Sequence, residues 1–315
     1  MSTELRSMPA SVLSPGFARA YVITMRPYLL FVSGITGIVG MALAPAIGLS
    51  PTLLLAAVFF LSYGFGQALT DCFQLDTDSL SSPYRPLVRG LVRRRDVMAV
   101  SLVGLIAGAL ILVRSHPGNI PLAVVAIGGL ATYTFFKRRW WAGPFYNAWI
   151  VALLPLMGYV SASGVAAAPL NWPAPLTWAV TAAFFGYANF VLAGYFKDIS
   201  ADRATGYNTF PVVFGLAPAT RVSDAFALIA FAAAAIGVIT SFPGGSLAAH
   251  HWIATAFLAA GGWASLLAQS RLHRVSEESE AHRAIAPVVH AYILLLSAVA
   301  VAHRAELAVP LTLFY

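Results

Sequence analysis

The chain has 315 residues, of which 59% are hydrophobic and 10% are charged, and its mean hydropathy is +0.77. This composition excludes an ordinary soluble domain, and the length far exceeds that of one spanning helix, so the sequence predicts a multispan membrane protein. The net charge of +7 does not indicate nucleic-acid binding, because the basic residues are dispersed over short loops between apolar stretches. The single cysteine excludes an internal disulfide.

Nine apolar windows of about 20 residues, bounded by charged residues, Pro or Gly, predict an all-α protein with about nine transmembrane helices. All 19 lysines and arginines except Arg114 and Arg304 fall on the side of the N-terminus. The positive-inside rule then predicts a cytoplasmic N-terminus and a C-terminus on the opposite side. We expect a cytoplasmic segment over 1–21, one membrane domain over 22–304 and a tail over 305–315. The expected helices are 22–44, 51–73, 97–114, 119–136, 144–164, 174–196, 220–241, 251–270 and 286–303.

Acidic residues gather just after the second apolar window, in the stretch 70–90. A membrane protein keeps ionisable groups near hydrocarbon only where they face a cavity or water and serve a purpose. On a helix with about 100° per residue, Asp71, Gln74 and Asp78 share one face, whereas Asp76 points away from it. The stretch therefore predicts a cation-binding acidic turn beside a basic rim, with Asp71 and Asp78 as the acids that bind the cation. The basic residues that follow are Arg85, Arg89 and Arg93–Arg95.

A second charged stretch lies at 197–215, after the sixth window. Asp198 and Asp202 are four residues apart, so they stack on one helical face, and Lys197 and Arg203 flank them. A few carboxylates hold Mg²⁺ in proteins while the phosphate oxygens of a ligand complete its shell. The two stretches therefore predict a Mg²⁺-dependent site for a diphosphate. Four spans separate them, which places both on the cytoplasmic face.

At these residues the chain resembles the UbiA family of intramembrane prenyltransferases. The family's first signature is Asn-Asp-x-x-Asp-x-x-x-Asp followed by Arg-Pro-x-x-x-Gly, and its second is Asp-x-x-x-Asp with a Gly-x-x-Thr-x-Pro-Val tail. The chain departs from the first at Thr70, where the family usually has Asn, and at Gln74, where it has the middle Asp. One negative charge is therefore missing from the first metal site. The matching residues are Asp71, Asp78, Arg85, Pro86, Gly90, Asp198, Asp202, Gly206, Thr209, Pro211, Val212 and Gly215.

The resemblance implies a UbiA-like bundle of two four-helix halves plus one helix, with Mg²⁺ as cofactor. It also assigns the basic and aromatic stretch between the fourth and fifth windows, and the Arg-Pro pair of the first, to the cavity; membrane-interface anchoring is the alternative for both. We expect catalytic roles for Asp71, Asp78, Asp198, Asp202 and Lys137, metal binding by Asp71, Gln74, Asp78, Asp198 and Asp202, and substrate binding by Arg26, Gln74, Arg85, Arg89, Tyr133, Arg138, Asn147, Tyr195, Lys197 and Arg203.

The function implied is transfer of a polyprenyl group from its allylic diphosphate to a small, aromatic acceptor, through ionisation to a carbocation. A terpene cyclase, which needs no separate acceptor, is the alternative within the same chemistry. A transporter or lipid-binding membrane protein is the alternative outside it, in which acidic pairs bind coupling ions. Transport needs polar groups near the midplane, whereas the acids of this chain lie at one surface. The expected partners are a prenyl diphosphate, the acceptor and membrane lipids; the oligomeric state is left open.

Overall fold

The computed structural model describes residues 9–163, 172–242 and 247–315, and within these ranges the elements are helices. Three 3-10 turns, Pro27–Leu29, Glu278–Glu280 and Ala305–Leu307, stand between them. The α-helices are α1 (Pro15–Met25), α2 (Leu30–Ala42), α3 (Leu49–Asp71), α4 (Leu75–Ser81), α5 (Arg94–Ser115), α6 (Asn119–Arg139), α7 (Gly143–Ser163), α8 (Ala174–Tyr195), α9 (Ile199–Ala204), α10 (Phe210–Phe214), α11 (Leu216–Ile239), α12 (Ala249–Leu272), α13 (His282–His303) and α14 (Ala308–Phe314).

Nine helical stretches in the described part of the chain are long and apolar enough to cross a membrane, as the sequence predicts. The first, Pro15–Ala42, combines α1 and α2 and begins before the expected residue 22. It begins there because the Ser14 side chain accepts the Phe17 N–H and Pro15 occupies the first turn, where a missing N–H has no cost. The other eight, which are α3, α5, α6, α7, α8, α11, α12 and α13, lie within a few residues of their expected ranges.

Arg26 interrupts the first span. Its backbone lies in the left-handed region, with φ of 55° and ψ of 69°, and among the described residues it is the only non-glycine with positive φ. This conformation costs an L-residue about 1–2 kcal/mol, and the following Pro27 disfavours the α-helical alternative. Helix α1 therefore ends here, and a charged side chain is placed inside a spanning segment.

Helix α13 forms the centre of the bundle. Within its most apolar stretch 78% of the residues are buried, compared with 17% for α5 and 22% for α6. It packs against α2, α8, α11 and α12. The first four spans and the next four meet mainly where α2 packs on α7, and this approach requires glycine. A Cβ at Gly40 would lie 1.9 Å from the Pro155 carbonyl oxygen, and one at Gly158 would lie 2.1 Å from that of Gly37.

The two short helices α4 and α9 follow the second and sixth spans, and they pack on each other. Both acidic segments therefore lie at the same end of the bundle, as the count of intervening spans predicts. At the other end, the Arg304 guanidinium donates to the Ala44 carbonyl and, at 3.3 Å, to that of Met41. Because these carbonyls end the first span, Arg304 caps it.

Candidate active site

A cavity of about 870 Å³ runs through the bundle from the end that carries the acidic segments. Leu54 and Asp71, near the two ends of α3, both line it, so it follows that helix for about 25 Å at 1.5 Å rise per residue. Ionisable side chains line the mouth, and most of the remainder is apolar. The apolar wall includes Leu61, Leu105, Gly108, Ala126, Ile127 and Leu130.

The first acidic segment reaches the cavity through a break in the helix. Helix α3 ends at Asp71 and α4 begins at Leu75, so the continuous helix from which a shared face was expected is absent between them. Asp71, Gln74 and Asp78 nevertheless all line the cavity. Asp76 is exposed and does not line it, in agreement with the expectation that it points away.

Asp71 and Asp78 are held by two arginines. Arg26 Nη2 donates to both carboxylate oxygens of Asp71, at 3.0 and 2.9 Å, and Gln67 Nε2 donates to Asp71 Oδ1 at 2.7 Å. Arg85 pairs with Asp78 and lies 3.7 Å from Asp71. Burial raises the pKa of the Asp78 carboxyl, and the Asp71 charge acts in the same direction, whereas Arg85 opposes them.

Lys137, on the last turn of α6, is buried at the mouth. Its ammonium donates to Gln74 Oε1 at 2.8 Å and lies 5.2 Å from the ring centroids of both Tyr195 and Tyr207. The hydroxyls of Tyr133 and Tyr195 are 3.1 Å apart. A charged, desolvated donor between two aromatic faces is positioned to bind an anion.

The two acids of the second segment have different surroundings. Asp198 is the N-cap of α9 and lines the cavity, and Lys197 Nζ contacts its two oxygens at 2.8 and 3.0 Å. Asp202 is fully buried behind it, and accepts hydroxyl hydrogen bonds from Thr77 at 3.2 Å and Thr209 at 3.1 Å. Burial raises the pKa of Asp202, Asp198 adds to that rise, and Lys137 opposes it.

The other expected substrate-binding residues divide into two groups. Arg138 points away from the cavity: its Nη2 lies 2.5 Å from Asp76 Oδ2 and 3.1 Å from the Tyr207 hydroxyl. Arg89 and Arg203 are exposed and do not line the cavity. The structure brings the remaining ones to the cavity wall, namely Arg26, Gln74, Arg85, Tyr133, Asn147, Tyr195 and Lys197.

The donor set at the mouth suits an anionic ligand better than an isolated cation. Among the described residues, no three His, Cys, Asp or Glu side chains are grouped as ligands for one metal ion. The cavity carboxylates Asp71, Asp78 and Asp198 are each paired with a base. A Mg²⁺ ion at this mouth would therefore need the oxygens of a bound phosphate to complete its shell. The geometry fits an amphiphile with an anionic head and a long apolar tail.

The UbiA prenyltransferase family model matches residues 33–303, which is most of the chain. The chain belongs to the UbiA prenyltransferase family. It is 32% identical to a digeranylgeranylglyceryl phosphate synthase of Halobacterium salinarum, over 69% of this chain and 77% of the relative. A digeranylgeranylglyceryl phosphate synthase of Thermococcus sibiricus is 23% identical, over 70% of this chain and 77% of the relative.

Solved structures of UbiA homologs share the fold. One from Aeropyrum pernix matches with a TM-score of 0.67 and 22% identity, covering 84% of this chain and 96% of that one. Another, from Archaeoglobus fulgidus and bound to GPP and Mg²⁺, matches with a TM-score of 0.61 and 18% identity, covering 89% and 99%. At these identities the comparison establishes the helical UbiA architecture of this chain.

Four side chains of this UbiA family member contact the site residues but were not expected from the sequence. Gln67 precedes Asp71 by one helical turn, a spacing that could have identified it. Thr209 belongs to the second signature, yet it carried no assigned role. The sequence pattern does not indicate Thr77 or Tyr207, because their contacts depend on how α4 packs on α9 and on how the loop after α9 meets Arg138 of α6.

Proposed function

We propose that this UbiA prenyltransferase transfers a prenyl group from an allylic prenyl diphosphate to a small acceptor, with Mg²⁺ as cofactor. The observation that carries the proposal is the cavity itself, which follows α3 for about 25 Å, is charged at its mouth and is mainly apolar beyond it. A diphosphate head fits the cations Arg26, Arg85 and Lys137, and a prenyl tail fits the apolar wall. The family match and the Mg²⁺-bound and GPP-bound homolog support this assignment.

The reaction begins when the allylic C–O bond breaks and the diphosphate leaves with the electron pair. When bound, Mg²⁺ supplies Lewis-acid neutralisation of that leaving group. The Arg26, Arg85 and Lys137 side chains donate charge-assisted hydrogen bonds to it from a largely buried mouth, where such bonds are strongest. The Tyr133, Tyr187 and Tyr195 rings line the cavity and present π-faces to the allylic cation. The acceptor then forms the new bond to the prenyl carbon and releases a proton.

The acceptor has two sources of support. The relatives are named digeranylgeranylglyceryl phosphate synthase, which favours a glycerol phosphate lipid. The resemblance seen in the sequence favours an aromatic ring. Both are electron-rich nucleophiles that attack the same prenyl carbon, so the proposed transfer reaction is the same for either. The experiment below tests the two acceptors side by side.

The proposed orientation places the charged mouth in the cytoplasm. Arg114 lies at the end of α5 and Arg304 caps the first span, both at the end away from the acidic segments. The other basic residues of the described ranges lie toward the mouth, as the positive-inside rule requires for a cytoplasmic face. We propose that the chain from the first span, which begins at Pro15, to Arg304 acts as one membrane domain, with the N-terminus and the C-terminus on opposite sides of the bilayer.

The test is product analysis with the purified chain in lipid nanodiscs, Mg²⁺ and radiolabelled geranyl or geranylgeranyl diphosphate. Pyrophosphate release that depends on an added glycerol phosphate lipid or aromatic acceptor is the expected result. Asp198→Ala and Lys137→Met should each lower turnover at least about 100-fold, since the first removes a carboxylate that would hold Mg²⁺ and the second removes a cation that would bind the diphosphate leaving group. Asp224→Ala changes an acid on α11 paired with His273, outside the cavity wall, and serves as the control. Cyclic products formed without any acceptor would instead establish a cyclase, and the absence of pyrophosphate release would refute the proposal.

A further inference from the structure

Gln74 and Lys137 form a buried pair where the first signature has an acid. The Lys137 ammonium donates to Gln74 Oε1 at 2.8 Å, and the two residues are only 6% and 8% exposed. The amide nitrogen of Gln74 donates to Thr134 Oγ1 at 3.4 Å. Gln74 therefore contributes no negative charge, and a cation of the protein already uses its one side-chain oxygen.

Thr70, the other departure from the first signature, is also engaged within the protein. Its hydroxyl donates to the Gln67 carbonyl at 3.0 Å and lies 3.4 Å from Gln67 Nε2. Gln67 in turn donates to Asp71 at 2.7 Å. Both altered positions thus belong to internal hydrogen bonds that hold the first acidic segment in place.

The two cavity-lining carboxylates of the first segment, Asp71 and Asp78, are engaged by arginines. Arg26 contacts both oxygens of Asp71, and Arg85 lies between Asp71 and Asp78. Both Arg26 contacts come from one nitrogen, Nη2, and together with Gln67 Nε2 they use about three of the four lone-pair sites of the Asp71 carboxylate, which leaves few for a metal ion. At the cavity, Asp71 and Asp78 thus lie with Arg26 and Arg85, and Lys137, whose charge also acts on Asp202, adds a third cation beside Gln74. Asp76, outside the cavity, is paired with Arg138, so the cavity side of this segment has a positive surplus.

The second segment offers a different environment. Asp198 lines the cavity, and its partner Lys197 has a side chain that is 32% exposed. A partly exposed lysine has its ion pair weakened by solvent and can move its flexible stem outward at small cost. The buried Asp202 adds a further negative charge behind Asp198. Asp198 is thus the cavity carboxylate whose basic partner competes least with a divalent cation for its oxygens.

We propose that this chain binds a single Mg²⁺ ion, at Asp198, and that Arg26, Arg85 and Lys137 bind the diphosphate directly at the first segment. The inference rests on the proposed prenyl diphosphate substrate and deepens it. Mg²⁺ dehydrates reluctantly and binds through one or two carboxylates together with substrate phosphates, so a segment with surplus positive charge does not compete for it. Guanidinium and ammonium groups bind the same phosphate oxygens through charge-assisted hydrogen bonds.

Metal counting tests the proposal without turnover. The full chain in nanodiscs is saturated with the unreactive analogue geranyl S-thiolodiphosphate and titrated with Mn²⁺, and bound Mn²⁺ is counted by electron paramagnetic resonance. We expect about one Mn²⁺ per chain, because one segment is free to bind it. Asp198→Asn should remove it, whereas Asp71→Asn and the control Asp224→Asn should retain it. The double variant Thr70→Asn/Gln74→Asp, which restores the signature, should bind about two.

Two outcomes overturn the inference alone: about two Mn²⁺ ions on the unmodified chain, or loss of the ion in Asp71→Asn with retention in Asp198→Asn. If the analogue does not bind at any Mn²⁺ concentration, the proposed function falls with it. The two single Asn variants are nearly isosteric with the native acids, and melting temperatures verify that they fold. If the double variant does not fold, this pair still decides the question.

Discussion

The Thr77 hydroxyl lies 3.2 Å from Asp202 Oδ1 and joins two segments that are 125 residues apart in the chain. Thr77 is on α4 and Asp202 on α9, and both side chains are buried. Thr209 donates to the second carboxylate oxygen at 3.1 Å, so each oxygen of the buried Asp202 carboxylate has a donor. The two acidic segments are therefore held together by a polar contact that leaves Asp198 to face the cavity.

Thr77→Val should destabilise the chain. The substitution keeps the shape of the side chain but removes a donor from a buried carboxylate, which costs about 1–3 kcal/mol. The expected result is a lower midpoint of unfolding in detergent, followed by circular dichroism, together with weaker binding of the prenyl diphosphate. Thr181→Val is the matched control, because Thr181 makes only an exposed hydrogen bond, to a backbone carbonyl on its own helix. Equal midpoints for the two variants would contradict a structural role for the contact.

Protonation of Asp202 should make the stability of the folded chain depend on pH. Burial raises its pKa in the folded chain above the unfolded value of about 3.9. Between these two values the folded state binds more protons than the unfolded state, so stability falls as pH rises through the window and increases as pH is lowered through it. The melting temperature of the native chain, relative to Asp202→Asn, should therefore rise on acidification from neutral pH toward about 4. A relative fall would show that the Asp202 pKa is lowered instead.

The spans and the charged segments could be predicted because they depend on local composition. Windows of about 20 apolar residues are what a bilayer requires, and all nine appear as helices in the described part of the chain. The acids that interrupt such a sequence need water or a cavity, and Asp71, Asp78 and Asp198 do line one. Composition and spacing were sufficient for these features.

The orientation of individual charged side chains could not be predicted in the same way. Asp198 and Asp202 were expected on one helical face, but Asp198 is the N-cap of α9, so only Asp202 lies within that helix. Lys137 and Arg138 are adjacent on α6 and about 100° apart around its axis. Which of them faces the cavity depends on the position of Asp76 and Tyr207, and therefore on tertiary packing.

A salt bridge outside the cavity should couple the first acidic segment to α6. Arg138 contacts Asp76 at 2.5 Å, and its guanidinium lies 4.5 Å from the Tyr207 ring centroid. Asp76→Asn and Arg138→Gln should each lower the free energy of unfolding, and the double variant should be less destabilised than the sum. Since both side chains are 39% exposed, screening limits the coupling to about 0.5–1 kcal/mol.

A double-variant cycle on Arg95 and Asp96 is the control for the coupling free energy between Arg138 and Asp76. The Arg95 side chain in this pair is 74% exposed and its closest approach is 3.5 Å, so the expected coupling is close to zero. Comparable coupling in the two cycles would mean that the contact between Arg138 and Asp76 is an ordinary surface ion pair. A larger value for Arg138 would support its role in holding α4 against α6.

Glu278 should control how freely Asp198 faces the cavity. Asp198 is the N-cap of α9 but makes no capping hydrogen bond; instead Glu278, from the loop between α12 and α13, accepts the Ser200 N–H at 2.7 Å. In Glu278→Ala the Ser200 N–H loses its acceptor. The Asp198 carboxylate, at the N-cap position, can then accept that N–H in place of Glu278. Asp198 would then turn away from the cavity, so the half-saturating Mg²⁺ concentration for turnover should rise about fivefold, the equivalent of one N-cap interaction of about 1 kcal/mol. Glu277→Ala removes the same charge from the same loop and should leave that concentration unchanged; equal rises in both variants would attribute the effect to loop charge alone.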